Sequence, residues 1–181
     1  MRIITGKARG TTLVTLEGEN TRPTSERAKE AVFSMLQFEL EGRRVLDLFG
    51  GSGQLALEAL SRGAASAVIA DSSRQAVEII KKNSEKTRLA PYCNIICADW
   101  TQTLRRLGND KFDIVFLDPP YAMGIVPTVL EKIHENLKAT STVVCETGND
   151  ISDSVPSDYE IVKNVKYGIA YVTVLRFNGG I

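Results

Sequence analysis

The sequence predicts an α/β fold built on a doubly wound, mostly parallel sheet of seven strands. Two observations carry this prediction. From Arg44 onward, short apolar runs alternate with segments of helical periodicity, which is typical of parallel strands joined by crossover helices. The last two apolar runs are separated only by Tyr167 and Gly168, as in a β-hairpin, so the final strand is expected to run antiparallel. The arrangement is Rossmann-like, and 181 residues suffice for one such domain.

Each element follows from the period of its apolar residues and from the turn residues beside it. The predicted strands lie near 44–48, 66–71, 93–98, 112–117, 142–146, 158–166 and 169–176. The predicted helices lie near 53–62, 73–87, 100–107 and 125–137. A polar connection containing a proline, 148–157, precedes the closing hairpin.

The first 43 residues have a different pattern. Segments 2–5 and 11–14 flank a glycine-containing turn with basic residues, which predicts a small hairpin. Thr24 or Ser25 is then expected to cap a helix whose apolar residues have helical spacing. We therefore divide the chain into an N-terminal hairpin and helix, 1–43, and a main domain, 44–181.

The charge of the chain is balanced overall but unevenly distributed. Lys plus Arg and Asp plus Glu number 22 each, whereas residues 1–29 hold six basic and three acidic groups. Because phosphate binding needs a local basic patch and not a basic average, a nucleic-acid partner is compatible with this composition. Arg9, Arg22 and Arg27 are the candidate contacts, although such isolated arginines are also typical of a solvated surface.

The sequence contains no sign of a membrane segment or a metal site. No apolar run approaches the roughly 20 residues that span a bilayer, and the N-terminus lacks the apolar core of a signal peptide. The cysteines and the single histidine lack the spacing of metal ligands. We therefore expect a cytoplasmic protein without a bound metal.

A glycine-rich segment follows the first predicted strand. Gly51-Ser52-Gly53 begins a G-x-G-x-x-A pattern, which allows a ligand to approach the backbone where the next helix starts, although a tight turn without a ligand has the same pattern. Asp47, ahead of these glycines, would repel a pyrophosphate but can accept from an ammonium. This favours S-adenosylmethionine over NAD, with Asp47, Phe49, Gly51 and Gly53 as predicted contacts.

Two further acidic residues end the next two predicted strands. Asp71 follows Gly53 by 18 positions, where an acid can accept both ribose hydroxyls of a nucleotide. Asp99 is a candidate acceptor for the adenine amine, with Trp100 beside the ring. Both acids are also suitable helix N-caps, and that alternative stays open.

The fourth of these strands leads into Asp118-Pro119-Pro120-Tyr121. The two prolines lack N–H donors, so the loop carbonyls are available to accept from a ligand. An exocyclic base amine is a poor nucleophile because its lone pair is delocalised into the ring. Asp118 and the carbonyl of Pro119 are predicted to accept its hydrogens and orient it, with Tyr121 stacked on the base. These residues are the predicted catalytic loop.

Four segments together resemble the RsmD-type family of 16S ribosomal RNA guanine-N2 methyltransferases. They are 2–6 with 9–10, 22–33, 46–53 with 57–64, and 118–121. The family implies a class I methyltransferase fold, which the closing hairpin also favours, and S-adenosylmethionine as cofactor. It implies a specific guanine of 16S ribosomal RNA as substrate. The near-neutral net charge favours RNA within a small ribosomal subunit or an assembly intermediate, where ribosomal proteins supply further contacts. We expect a monomeric enzyme. By position it assigns Arg9, Arg22 and Arg27 to an RNA-facing N-terminal part.

Two positions depart from the family pattern: Thr11-Thr12 stand where further basic residues are common, and Asp71 stands where glutamate is common.

Three other functions also fit parts of the sequence. A DNA adenine-N6 methyltransferase can use the same Asp-Pro-Pro-Tyr loop, but this chain has no room for a separate target-recognition domain. A non-catalytic RNA-binding assembly module would keep the fold without turnover. An NAD-dependent oxidoreductase is disfavoured by Asp47 and by the closing hairpin.

Overall fold

A central sheet organises the protein, for which the computed structural model describes residues 1–16 and 23–179. In these residues the strands are β1 (Arg44–Asp47), β2 (Ser66–Asp71), β3 (Cys93–Cys97), β4 (Phe112–Leu117), β5 (Leu137–Thr147), β6 (Tyr159–Tyr167) and β7 (Ala170–Phe177). They form one seven-stranded sheet in the order β3-β2-β1-β4-β5-β7-β6. Strands β1 to β5 pair in parallel, whereas β7 runs antiparallel to both β5 and β6. The predicted fold class is confirmed.

Helices cover both faces of the sheet. They are α1 (Pro23–Met35), α2 (Gln54–Ser61), α3 (Arg74–Lys86), α4 (Trp100–Leu107) and α5 (Val126–Lys132). Because side chains alternate along a strand, Val45 and Leu46 on β1 belong to two different buried clusters, one on each face. Both are completely buried, as expected for a central parallel strand.

The predicted N-terminal hairpin is reduced to a single antiparallel bridge between Arg2 and Thr12. As in a hairpin, the N–H of Ile3 donates to the carbonyl of Thr11 at 3.0 Å and that of Leu13 donates to the carbonyl of Met1 at 2.9 Å. Other backbone donors of the segment bond to α2. The N–H of Lys7 donates to the carbonyl of Ser61 at 2.8 Å, and that of Ala8 donates to the Ser61 hydroxyl at 2.9 Å. Because these donors bond to α2, the turn packs on that helix and the hairpin does not extend into a regular pair of strands.

A buried glutamate on α2 holds the N-terminal segment in place. The Glu58 carboxylate is inaccessible to solvent and accepts from the backbone N–H groups of Ile4 and Thr5 at 2.7 and 3.0 Å. It also pairs with Lys29 of α1 at 3.4 Å and with Arg62 at 2.8 Å. Ile3 and Phe33 lie in the same hydrophobic cluster as Val45. The described residues of 1–43 therefore share a core with the sheet, and the separate role of this part stays a prediction.

Some predicted boundaries are wrong for local reasons. Helix α1 begins at Pro23, so Thr24 and Ser25 lie inside its first turn and not before it. Proline suits that position because its missing N–H would have no partner there. Helix α5 ends at Lys132 and not at 137, and a short 3₁₀ turn leads into β5. The Asn136 side chain fixes this turn by donating to the carbonyls of Gly108 and Asp110, both at 3.0 Å.

We predict that Glu58→Gln lowers the free energy of unfolding by about 3 kcal/mol, because it removes the negative charge that the buried Lys29 and the half-buried Arg62 share. Burial lowers the pKa of the Lys29 ammonium, and the Glu58 charge opposes this, so its loss leaves Lys29 without compensation. Urea unfolding followed by circular dichroism measures the change. Glu78→Gln is the matched control, since Glu78 pairs with Lys81 on the exposed side of α3. Equal losses in the two variants would contradict a stabilising role for the buried network.

Candidate active site

Four acidic residues meet at one edge of the sheet. Asp47 ends β1, Asp71 ends β2, and Asp99 and Asp118 come shortly after the ends of β3 and β4. Since these strands are parallel and adjacent, their carboxyl ends lie side by side. All four residues line one cleft of about 810 Å³. The fold therefore brings together acids that are separated by up to 71 positions in the chain.

The cleft contains ten of the eleven residues predicted for the cofactor and the catalytic loop. They are Asp47, Phe49, Gly51, Asp71, Asp99, Trp100, Asp118, Pro119, Pro120 and Tyr121. The exception is Gly53, which does not line it. A Cβ on Gly53 would lie 3.3 Å from Ile80, and the residue has φ near +79°. Gly53 thus permits a left-handed turn and close packing of the loop on α3, and its assignment as a ligand contact stays a prediction.

Asp47 is buried without a cationic partner among the described residues. Its side chain is 1% exposed, and its Oδ1 accepts from the backbone N–H of Phe49 at 3.3 Å. Burial raises the pKa of this carboxyl to about 7, and the negative charge of Asp71 adds to the effect. A carboxylate held in this way is suited to a cationic ligand that enters the cleft.

Asp71 fixes the glycine-rich loop. One of its carboxylate oxygens accepts from the backbone N–H of Gly51 at 2.9 Å, and the other accepts from that of Ser73 at 2.8 Å. Ser73 is the N-cap of α3 and accepts from Ala76. The N-cap alternative considered for Asp71 is therefore wrong. Each oxygen of a carboxylate can accept more than one hydrogen bond, so Asp71 can still accept from a ligand in the cleft.

Asp99 combines a local role with a position in the cleft. Its Oδ1 accepts from the Thr101 hydroxyl at 2.6 Å and from the Gln102 N–H at 2.9 Å, which makes it the N-cap of α4. These bonds lower the pKa of the carboxyl, with the bond from Thr101 contributing most. Trp100 follows as the first residue of the helix and also lines the cleft. The N-cap and ligand-facing interpretations are thus compatible.

The catalytic-loop candidates line the cleft directly after β4. The Tyr121 hydroxyl donates to Oε1 of Glu146 on β5 at 2.6 Å. Its ring lies against Gly148, where an added Cβ would approach the Tyr121 ring to within 2.9 Å. These two contacts fix the ring while leaving it 37% exposed. A planar ligand can therefore reach this tyrosine from the cleft.

Sequence reasoning missed Glu146, although a usable signal was present. It ends the apolar run 142–146, just as Asp47 and Asp71 end theirs. Burial raises the pKa of its carboxyl, and the hydrogen bond from Tyr121 acts in the opposite direction. An acidic residue at the end of a parallel strand was thus informative on the fifth strand as well as on the first two.

Two of the arginines assigned to RNA, Arg9 and Arg27, do not line the cleft. Arg9 and Arg27 are exposed, on the N-terminal loop and on α1, and Arg22 lies outside the described residues. From the same part of the chain, Met1 and Leu16 do line the cleft. The N-terminal segment therefore borders the candidate site with apolar side chains.

Known proteins are similar to this chain in sequence and in fold. The family described as Conserved hypothetical protein 95 matches residues 1–176. The chain belongs to this family. A Bacillus subtilis protein assigned as an rRNA methyltransferase is 30% identical over 184 residues, which cover 99% of this chain and 100% of the relative. Ribosomal RNA small subunit methyltransferase D of Haemophilus influenzae is 32% identical over 173 residues, 93% of this chain and 90% of its own.

The fold is similarly close to a solved structure. An Escherichia coli protein assigned as a methyltransferase has a TM-score of 0.87 to this chain, with 27% identity and 99% of each chain covered. The resemblance to the RsmD-type family is thus confirmed. Within residues 1–16 and 23–179, no helix is long and apolar enough to cross a membrane, and no group of His, Cys, Asp and Glu is placed to hold a metal ion.

We predict that Asp47→Asn makes the ligand-free protein more stable at pH 8 by about 2–4 kcal/mol. The folded carboxyl has a pKa near 7, against 3.8 in a free residue. The folded state therefore binds the proton more tightly, and the wild type loses stability as the pH rises from about 4 to about 7. The advantage of the variant should grow over that range and then stay constant.

Urea unfolding of both proteins at several pH values between 4 and 8 measures this difference. Asp153→Asn, in an exposed turn, is the control and should behave like the wild type throughout. If the advantage of Asp47→Asn did not change with pH, the carboxyl would not carry the raised pKa.

Proposed function

We propose that this protein transfers a methyl group from S-adenosylmethionine to the N2 amine of a specific guanine in 16S ribosomal RNA. One observation carries the proposal. A single cleft is lined both by Asp47, a buried carboxylate without a cationic partner among the described residues, and by the Asp118–Tyr121 loop. The first suits a cationic cofactor and the second suits a planar base with an amine. Membership of a family that includes ribosomal RNA methyltransferases supports the same reaction.

The cofactor end has the acceptors that S-adenosylmethionine requires. Asp47 would hold its ammonium, and the spare lone pairs of Asp71 would accept from the ribose hydroxyls. Asp99 would accept from the adenine amine, and Trp100 would lie beside the ring. Phe49 and Gly51 complete this wall of the cleft. When bound, the cofactor supplies an electrophilic methyl group on a sulfonium.

The catalytic loop would make the guanine amine reactive by orientation. Asp118 and the Pro119 carbonyl accept its two hydrogens, which favours the tetrahedral geometry of the transition state over the planar ground state. Tyr121 stacks on the base, and its bond to Glu146 keeps the ring in place. As the new N–C bond forms, the nitrogen loses one proton to Asp118 or to water. This route requires no covalent bond between protein and base.

The N-terminal segment is proposed to face the RNA. Arg9, Arg22 and Arg27 would contact phosphates, which position the substrate without reading its sequence. With equal numbers of acidic and basic residues, the protein is expected to need contacts from ribosomal proteins. We therefore propose a small subunit or an assembly intermediate as substrate, and a monomeric, metal-independent enzyme acting in the cytoplasm.

Labelled methyl transfer to small subunits from cells lacking the enzyme tests the proposal, with nucleoside analysis of the product. We expect N2-methylguanosine in 16S RNA. N6-methyladenosine would instead support the adenine-N6 alternative, which uses the same loop. Cofactor binding without any label would support a non-catalytic module.

We predict that Asp118→Ala reduces methyl transfer at least about 100-fold while S-adenosylmethionine binds almost as in the wild type. Removing one preorganised contact to a transition state typically costs that much, and Asp118 is proposed to touch the base and not the cofactor. Single-turnover transfer and calorimetric binding measure the two effects separately. The control is Asp153→Ala, in an exposed turn. A variant that kept most of its activity would disprove the assignment of Asp118.

A further inference from the structure

Glu146 is placed beside the catalytic loop by the pairing of β4 with β5. In that parallel pair Leu117 is opposite Cys145. The next residues are Asp118, directly after the end of β4, and Glu146, in β5, and they are therefore neighbours. Both line the large cleft, and both also line a smaller adjoining cavity of about 50 Å³. Two carboxylates therefore border the space where the base amine is proposed to bind.

One oxygen of this second carboxylate remains available. Oε1 of Glu146 accepts from the Tyr121 hydroxyl, whereas no described residue donates to Oε2. Lys29 lines the smaller cavity, but its ammonium donates to the carbonyl of Arg2 at 2.9 Å and pairs with Glu58 at 3.4 Å. No cation in the described part of the chain forms an ion pair with Glu146.

A neighbouring amide oxygen is a second acceptor without a donor among the described residues. Gln54, the first residue of α2, lines both cavities together with Asp118 and Glu146. Its Oε1 is buried and has no hydrogen-bond partner among the described residues. Buried acceptors are normally satisfied, so this end of the cleft is complementary to a ligand that brings several donors.

The two purines differ in the donors that they present here. Guanine carries N1–H next to its N2 amine, three hydrogens on one edge, whereas adenine has an unprotonated N1 next to its N6 amine. A carboxylate beside the amine attracts N1–H and repels the lone pair of an unprotonated N1. We propose that Glu146 selects guanine by accepting N1–H on Oε2. This inference rests on the function proposed above and adds a specificity-determining residue to it.

Glu146 could instead serve only to hold Tyr121, and the test must separate the two roles. Glu146→Gln does so, because glutamine keeps an oxygen that accepts from Tyr121 and replaces the other oxygen with a donor. That donor opposes N1–H of guanine but suits an unprotonated N1. The substrate analogue 2-aminopurine has such an N1 and retains the amine at C2.

The experiment uses small subunits reconstituted with 16S RNA carrying either guanine or 2-aminopurine at the mapped target position. For each enzyme the ratio of kcat/KM on the two substrates is measured. We expect Glu146→Gln to lower the preference for guanine about 10- to 100-fold, partly through a gain on 2-aminopurine, with cofactor affinity unchanged. Tyr121→Phe breaks the tyrosine bond but keeps the carboxylate, and it should retain the wild-type ratio.

Several outcomes would overturn the inference. One is a ratio in Glu146→Gln within about twofold of the wild type, and another is equal loss on both substrates while the cofactor still binds. If the glutamine variant does not fold, Glu146→Asp replaces it. That change keeps the charge but withdraws it by one methylene, so it should slow guanine transfer while 2-aminopurine stays the poorer substrate. Failure of the wild type to methylate guanine would instead refute the proposed function itself.

Discussion

The site depends on the parallel pairing of β2, β1 and β4. With β1 between the other two strands, Asp47 lies at the centre of the carboxyl edge, between Asp71 and Asp118. The same central position buries Asp47 almost completely and raises the pKa of its carboxyl. A partly protonated acid is an unstable element of the ligand-free fold, and a bound cation would relieve that cost. The burial of Asp47 therefore makes it suited to a cationic ligand and also destabilises the ligand-free fold.

The buried Glu58 network adds the N-terminal segment to this sheet. Glu58 and Ser61 lie on α2, the helix that starts directly after the glycine-rich loop. By accepting from the backbone of residues 4–8, they fix a segment whose ends, Met1 and Leu16, border the cleft. The helix that closes the cofactor end of the cleft is therefore also the anchor of the segment proposed to face RNA.

The part of the cleft next to the catalytic loop depends on strands β5, β6 and β7. Strand β5 pairs in parallel with β4 and antiparallel with β7, so Glu146 stands between the catalytic loop and Val172. The β6–β7 turn adds Ile169 and Ala170 to the wall of the cleft. The closing hairpin that distinguishes this sheet from a plain dinucleotide-binding domain thus contributes directly to the site.

The sequence by itself determined the fold class, the glycine-rich loop and four of the acidic positions, because each depends on local periodicity or on a residue type at a strand end. It did not reveal Glu146, the packing role of Gly53 or the hydrogen bonds that join the N-terminal hairpin to α2. Those depend on contacts between distant segments, such as the carboxylate of Glu58 accepting from Ile4 and Thr5, 54 and 53 positions away. Only the tertiary structure decided which donors and acceptors meet, since strand order and helix packing bring them together.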